Sequence, residues 1–306
     1  MPEHITFHAM GCEIIAMVDS DEPERAAEML QLVPGWFEEW EQVLSRFRLD
    51  SELMQLNGKH NRPVQVSETL WEVFEAALWA ERYSQGLVTP TVAEALNTAG
   101  YDRSFEILKN SPYEIAASGG SQVPPFSEVL ADPEARTLCL PEGFQLDFGG
   151  VAKGWAAHQA MLRLEVLGPA LVDAGGDIAI SDSLPGPEPW EVSVADPLHH
   201  GREITRLYLE DCGVATSGRD RRRWNSGGKP RHHIIDPRTG EPAETDLMSA
   251  TVIAPTVLQA EAASKTVMIL GSREGIAWLQ AAPSLAGLFV LEDGQVLATE
   301  HMQAYL

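Results

Sequence analysis

Apolar residues recur every three to four positions between Asp21 and Leu53, at Ala26, Met29, Leu30, Val33, Trp36, Phe37, Trp40, Val43, Leu44 and Phe47. That spacing predicts helix. Pro23 sits near the start, where proline is tolerated, and Pro34-Gly35 predicts either two helices or one kinked helix. Ser51 reads as an N-cap with Asn57-Gly58 as the stop, and residues 67–85 read as a helix capped by Ser67. Helices are also expected over 92–98, from 151 to about 167, over 257–270 and near 274–280. Strands are expected within 5–18, bent at Gly11, and near 137–140, 144–148, 170–173, 177–180, 190–194, 203–209, 212–215 and 248–253. A hairpin over 288–298 closes the chain around Glu292-Asp293-Gly294, and most of 103–140, with Gly119-Gly120 and Pro124-Pro125, reads as polar loop. Strands and helices mixed without strict βαβ alternation predict an α+β fold.

Charge narrows the choice of ligand. The 306 residues carry a formal net charge of −23 at a pI near 4.7, which argues against non-specific binding to nucleic acid or anionic lipid. A phosphate-bearing ligand would need backbone amides, a few placed bases, or a bound cation that collects carboxylates. Cys12, Cys139 and Cys212 are far apart, so neither a disulfide framework nor a zinc site is indicated. Residues 1–18 hold no apolar run of signal length, and no stretch approaches the twenty apolar residues that span a bilayer. The chain reads as cytoplasmic, without membrane insertion.

Chemistry concentrates at turns. Gly149-Gly150 before a helix start can hold an anion on outward N–H groups, and Lys153 in the first turn suits a phosphate or carboxylate neighbour. A tight turn with a surface lysine explains the same residues equally well. Asp173-Ala174-Gly175-Gly176-Asp177 is a second glycine turn and Thr216-Ser217-Gly218 a third. Arg219, Arg221, Arg222 and Arg223 form a basic cluster that suits either phosphates or solvent, and no aromatic platform accompanies it. Arg231-His232-His233-Ile234-Ile235 runs into the turn Asp236-Pro237-Arg238-Thr239-Gly240. A histidine before such a turn is either a polar strand end or a proton acceptor held on a rigid edge. Separate loops meeting at one end of a sheet would form a pocket for an elongated phosphorylated ligand.

These motifs resemble, in order, those of the ApbE family of flavin transferases (FAD:protein FMN transferases). The likeness runs from about Met10 to Val290 through Met10-Gly11, Ser51-Glu52-Leu53 with Asn57, Thr89-Pro90-Thr91-Val92 and Gly100-Tyr101-Asp102. It continues through 147–154, 174–178, 190–194 with Asp196-Pro197, 215–218 and 233–240. The resemblance implies a single domain over 1–306, with mixed sheets, flanking helices and a flavin-nucleotide pocket formed by loops between two halves. It implies FAD as substrate and Mg²⁺ as helper, with FMN passing to a Ser/Thr hydroxyl of an acceptor protein and AMP released. His233 would be the base or lie beside the reacting hydroxyl, and Asp236 would support its loop. Lys153 and the turn Gly149, Gly150, Val151 and Ala152 would hold the pyrophosphate region. Met10, Glu52 and Asn57 would line the flavin or adenosine pocket, with Thr91 and Ile234 also in contact. Asp177, Thr216 and Ser217 would share one wall.

The chain departs from the family where a metal is expected. The family pattern places an Asp and, four residues on, a Thr on one helical face, whereas here those positions are Glu261 and Lys265. Ala152 belongs to the same implied metal set. An ammonium has no lone pair for a metal, and Glu261 with Lys265 makes a favourable i, i+4 pair. The family's acid before Pro-Thr is Thr89, and the acid a turn after Lys153 is His158. Beside a transferase, the same pocket would therefore suit a flavin-binding protein without transfer, or an FAD pyrophosphatase giving FMN and AMP.

Overall fold

Met10 and Gly11 both take positive φ, 50° and 69°. That is the geometry of a two-residue hairpin turn whose twist matches its flanking strands. The turn folds Glu3–Ala9 onto Cys12–Val18 with Ala9 opposite Cys12. In this computed structural model, residues 2–109, 120–182, 184, 188–226 and 228–306 are described; Gly119 of the expected loop lies outside them. The chain divides into two compact units, one of Met1–Phe37, Lys153–Asp220 and Thr245–Leu306, the other of Glu38–Ala152 and Arg221–Glu244.

The first unit is built on an eight-stranded sheet in which every neighbouring pair is antiparallel. Its spatial order is Glu3–Ala9, Cys12–Val18, Ala170–Ala174, Asp177–Ile180, Gly213–Gly218, Leu247–Ala254, Ala286–Leu291 and Val296–Ala298. All eight residues of Leu247–Ala254 are buried, because both faces of that strand are covered. On one face lies the helix Val257–Gln280, capped by Thr256, whose hydroxyl accepts from Gln259 N–H at 3.2 Å. On the other, Trp190, Val194, Leu207 and Leu209 of a two-stranded ribbon pack with Ile178, Val214, Ile253 and Leu288. Gly271, at φ 80°, interrupts the long helix and accounts for the two helical segments expected there.

The second unit carries short helices and small sheets. Ser51 caps Glu52–Asn57 and Ser67 caps Glu68–Tyr83, each hydroxyl accepting an N–H three residues on, at 3.1 and 3.2 Å. Trp224, Ile235, Tyr101, Leu96 and Leu108 share one apolar cluster, and Trp224 Nε1 donates to Ala99 O at 2.8 Å.

Some sequence expectations are corrected, and others left open are resolved, the first helical region into two helices. Residues 144–148 form no strand: Asn57 Nδ2 donates to Leu146 O at 2.9 Å and Leu146 N–H donates to Asn57 Oδ1 at 2.8 Å. A side-chain amide there satisfies what a neighbouring strand would otherwise bond. Thr216-Ser217-Gly218 is not a turn but the end of the Gly213–Gly218 strand, paired with Ser249 to Thr251. The first helical region breaks at Gln31-Leu32, and Pro34 sits in the first turn of Val33–Leu44, where its missing N–H costs nothing. The arginine cluster runs into a hairpin of Arg223–Ser226 and Lys229–His232. The nominal loop over 103–140 likewise holds a helix, Phe105–Lys109, and a strand, Leu130–Asp132.

Candidate functional site

In the first unit, chemistry gathers at one end of the large sheet. Gly175 and Gly176, at φ 69° and 98°, turn Ala170–Ala174 into Asp177–Ile180, and Gly176 N–H donates to Asp173 Oδ1 at 2.6 Å. A Cβ on Gly175 would lie 2.7 Å from the Cys12 Cβ, so this turn sits against the strand that Met10-Gly11 begins. Thr216 N–H donates to Gly176 O at 3.0 Å, bringing the third polar segment to the same edge. Thr216 and Ser217 nevertheless point to opposite faces, as successive strand residues must. Thr216 is exposed and its hydroxyl bonds Thr251 at 2.9 Å; Ser217 is buried and bonds Ser264 at 2.8 Å. The single wall expected of them is therefore two faces.

Four charged side chains converge beside that edge. The Lys153 ammonium pairs with the Asp177 carboxylate, which is 2% exposed. Next to it, Gly154 N–H donates to Glu261 Oε2 at 3.1 Å, and Lys265 Nζ donates to Glu261 Oε1 at 2.9 Å. Ser264 Oγ donates to Glu261 O at 3.1 Å and continues the network to Ser217. A Cβ at position 154 would fall 2.4 Å from Glu261 Oε2 and would displace that carboxylate from the N–H. Glu261 thus caps the first turn of the Ala152–Leu164 helix, a favourable place for a negative charge.

Those contacts decide whether a Mg²⁺ fits the implied ligand set. Each Glu261 oxygen already accepts a hydrogen bond, and Lys265 presents an ammonium where an oxygen donor is needed. No group of three or more His, Cys, Asp or Glu that could hold a metal occurs among the described residues. The Glu261–Lys265 pair does not fit the ion.

In the second unit, the predicted residues serve two sets of braces. Arg46 pairs with Asp147, both about nine-tenths buried, and also donates to Asn97 Oδ1 at 3.0 Å and to Tyr101 O. Asp147 Oδ1 in turn accepts Gly149 N–H at 2.6 Å, fixing the glycine turn. Gly150 and Val151 line a small recess with Ala77, Val88, Thr89, Pro90 and Asp147. Thr91, 1% exposed, donates to Pro124 O at 2.7 Å and bonds Thr89 Oγ1 at 2.9 Å. Asn57 is spent on Leu146, and Glu52 Oε1 accepts Ser67 N–H at 2.6 Å. Ala152 is buried at the head of its helix.

The two histidines differ in setting. His232 is buried, with Nε2 bonded to Ala243 O at 3.0 Å and Nδ1 accepting Ile234 N–H at 3.3 Å, the contacts of a structural residue. His233 is half-buried beside the buried Ile234. Asp236 holds the following turn: its carboxylate accepts Arg238 N–H at 2.9 Å and the Arg238 guanidinium at 2.7 Å, and its carbonyl accepts Gly240 N–H at 2.8 Å. Burial pushes the Tyr101 phenol up, against the lowering charges of Arg222 and Arg46, and burial alone holds His158 below the ordinary histidine range.

Arg46, Asp147, Thr251 and Ser264 had no assigned role in the sequence. Only Ser264, three residues from Glu261 on a helical face, carried a readable signal. The others act across long sequence separations.

The curated relative from Treponema pallidum (strain Nichols), named FAD:protein FMN transferase, is 31% identical over 277 residues, 85% of this chain and 76% of its own length. The Salmonella typhimurium protein of the same name is 28% identical over 285 residues, 90% of this chain and 80% of its own. The crystal structure of the ApbE protein from Thermotoga maritima matches with a TM-score of 0.86 at 25% identity, over 100% of this chain and 99% of that one. The fold also matches apo flavinyl transferase ApbE of Pseudomonas stutzeri, with a TM-score of 0.80 at 24% identity, over 99% and 96% of the two chains. The ApbE family model matches residues 10–289, and the chain belongs to the ApbE family.

Proposed function

We propose that this chain transfers FMN from FAD to a Ser or Thr hydroxyl of an acceptor protein, releasing AMP, with residues 1–306 acting as one flavin transferase domain. The observation that carries the reading is the Treponema relative of that name, 31% identical across 85% of this chain. The reaction is attack on phosphorus, so the protein must position two substrates, stabilise charge on the phosphates and accept one proton. His233 takes the proton, from the start of a turn that Asp236 closes. Lys153 and the turn over residues 149–152 hold the pyrophosphate region, the turn itself being braced by Gly149 N–H on Asp147 and by Val151 and Ala152 N–H on Phe148 O. Met10, Glu52, Asn57, Thr91, Asp177, Thr216, Ser217 and Ile234 shape the nucleotide pocket, in several cases by fixing the backbone rather than by direct contact.

The test is incubation with FAD and Ser/Thr-containing peptides, with covalent flavin read by fluorescence and AMP by chromatography. Covalent flavin with one AMP per transfer is expected. AMP with free FMN only would identify an FAD pyrophosphatase, and tight FAD binding without AMP a flavin-binding protein. His233→Ala is expected to lower transfer by about 10²–10⁴-fold, the usual contribution of a general base, with FAD binding retained. Unchanged transfer in that variant would remove His233 from the role.

A further inference from the structure

The mismatch between the Glu261–Lys265 pair and a divalent cation is itself informative. The acid of the pair is 1% exposed and the ammonium side chain 15% exposed, so the carboxylate is sealed while the cation reaches the accessible surface. One ammonium N–H is used on Glu261 Oε1, and an ammonium has three to give. Lys153 is the residue before Gly154, whose N–H Glu261 caps, and its own ammonium pairs with Asp177. Two ammonium groups therefore flank one helix start, each tied to a carboxylate that is 2% exposed or less. A lysine held in this way is a fixed positive charge rather than a free surface chain.

We propose that the Lys265 ammonium, anchored by Glu261, supplies at the FAD phosphates the positive charge that a divalent cation would otherwise contribute, so that this chain binds and turns over FAD without divalent metal. This rests on the transferase reading. In the step, the acceptor oxygen bonds to the FMN-side phosphorus and the bond from that phosphorus to the AMP phosphate oxygen breaks. Its electron pair leaves with AMP, and the hydroxyl proton passes to the base. Lys265 and Lys153 offset charge on the phosphate oxygens, and nothing is oxidised or reduced.

Binding and turnover are measured separately, so that the two readings can fail independently. Flavin fluorescence titration of the full chain is expected to give the same FAD affinity, within about twofold, in EDTA and in excess Mg²⁺. Mn²⁺ alone, followed by electron paramagnetic resonance in the presence of AMP, is expected to show no stoichiometric site. Lys265→Met is expected to weaken FAD binding at least tenfold, and Lys265→Arg to retain most of it. Because Lys265→Met strands a buried carboxylate, the Glu261→Gln/Lys265→Met double variant serves as a second probe. It keeps an oxygen for Gly154 N–H and is expected to show the same tenfold loss. A tenfold gain in FAD affinity with Mg²⁺, a stoichiometric Mn²⁺ site, or wild-type affinity in a well-folded double variant would each overturn the proposal. Covalent flavin formed equally in EDTA supports it, and transfer seen only with Mg²⁺ overturns it. Should neither condition give transfer, the transferase reading falls and the binding measurements still decide the role of Lys265.

Discussion

His158 is the residue whose environment departs most simply from solution, since desolvation alone depresses its pKa. It lies on the Ala152–Leu164 helix. The unfolded chain takes up a proton at this histidine as pH falls through about 6.5, the ordinary value, while the folded chain resists until lower pH. Folded stability is therefore unaffected by this group above about pH 7 and declines below its unfolded pKa. Urea unfolding of wild type and His158→Gln between pH 7.5 and 5.5 is expected to show a steeper acid loss in the wild type. Parallel curves would remove the effect. At this scale the sequence was legible where partners are close: Ser51 and Ser67 cap the helices expected of them, and Glu261 meets Lys265 four residues on. It was silent where partners are remote, as for Asn57 with Leu146, 89 residues apart, or Arg46 with Asp147.

At the scale of elements, the turn after His233 depends on one backbone conformation. Gly240 takes φ 69°, and a Cβ there would fall 1.8 Å from Ser121 O. Gly240→Ala would have to push the 121 backbone aside and hold a left-handed residue, so a loss of about 1–3 kcal/mol is expected on the scale of overpacked sites. Transfer is expected to fall with it, because Gly240 N–H closes on Asp236 O. Gly143→Ala is the control. It has a positive φ of 80° but nothing within 4 Å of the added carbon, so it should cost only the left-handed strain of about 1–2 kcal/mol and leave transfer intact. Equal transfer losses in the two variants would refute the brace. The misread elements share one cause. Apolar alternation marks any extended backbone with one buried side, so residues 144–148 matched the strand pattern although side chains and turn backbone, not a neighbouring strand, satisfy them. Conversely, Thr216-Ser217-Gly218 looks like a turn by composition, yet its pairing with Leu247–Ala254 carries it as strand.

For the whole molecule, 45 acidic residues against 22 basic ones place an anionic substrate in a repulsive field. That imbalance was fully legible in composition. What composition could not show is that Lys153 and Lys265 are each tied to a buried carboxylate, so that local positive charge at the site is partly offset by its own anchors. Encounter with FAD should then be governed by the long-range negative field, and the bound state by short contacts. Salt separates these, because the Debye length contracts from about 30 Å at 10 mM to about 8 Å at 150 mM and screens distant exposed charge far more than buried pairs. Raising KCl over that range is expected to lower KM for FAD several-fold by speeding association, with kcat nearly unchanged. Steady-state kinetics in EDTA at several ionic strengths measure this without interference from divalent cations. A KM that rises with salt would mean that FAD is drawn in by an exposed basic surface, and the arginines at 219 and 221–223 would be the place to look for it.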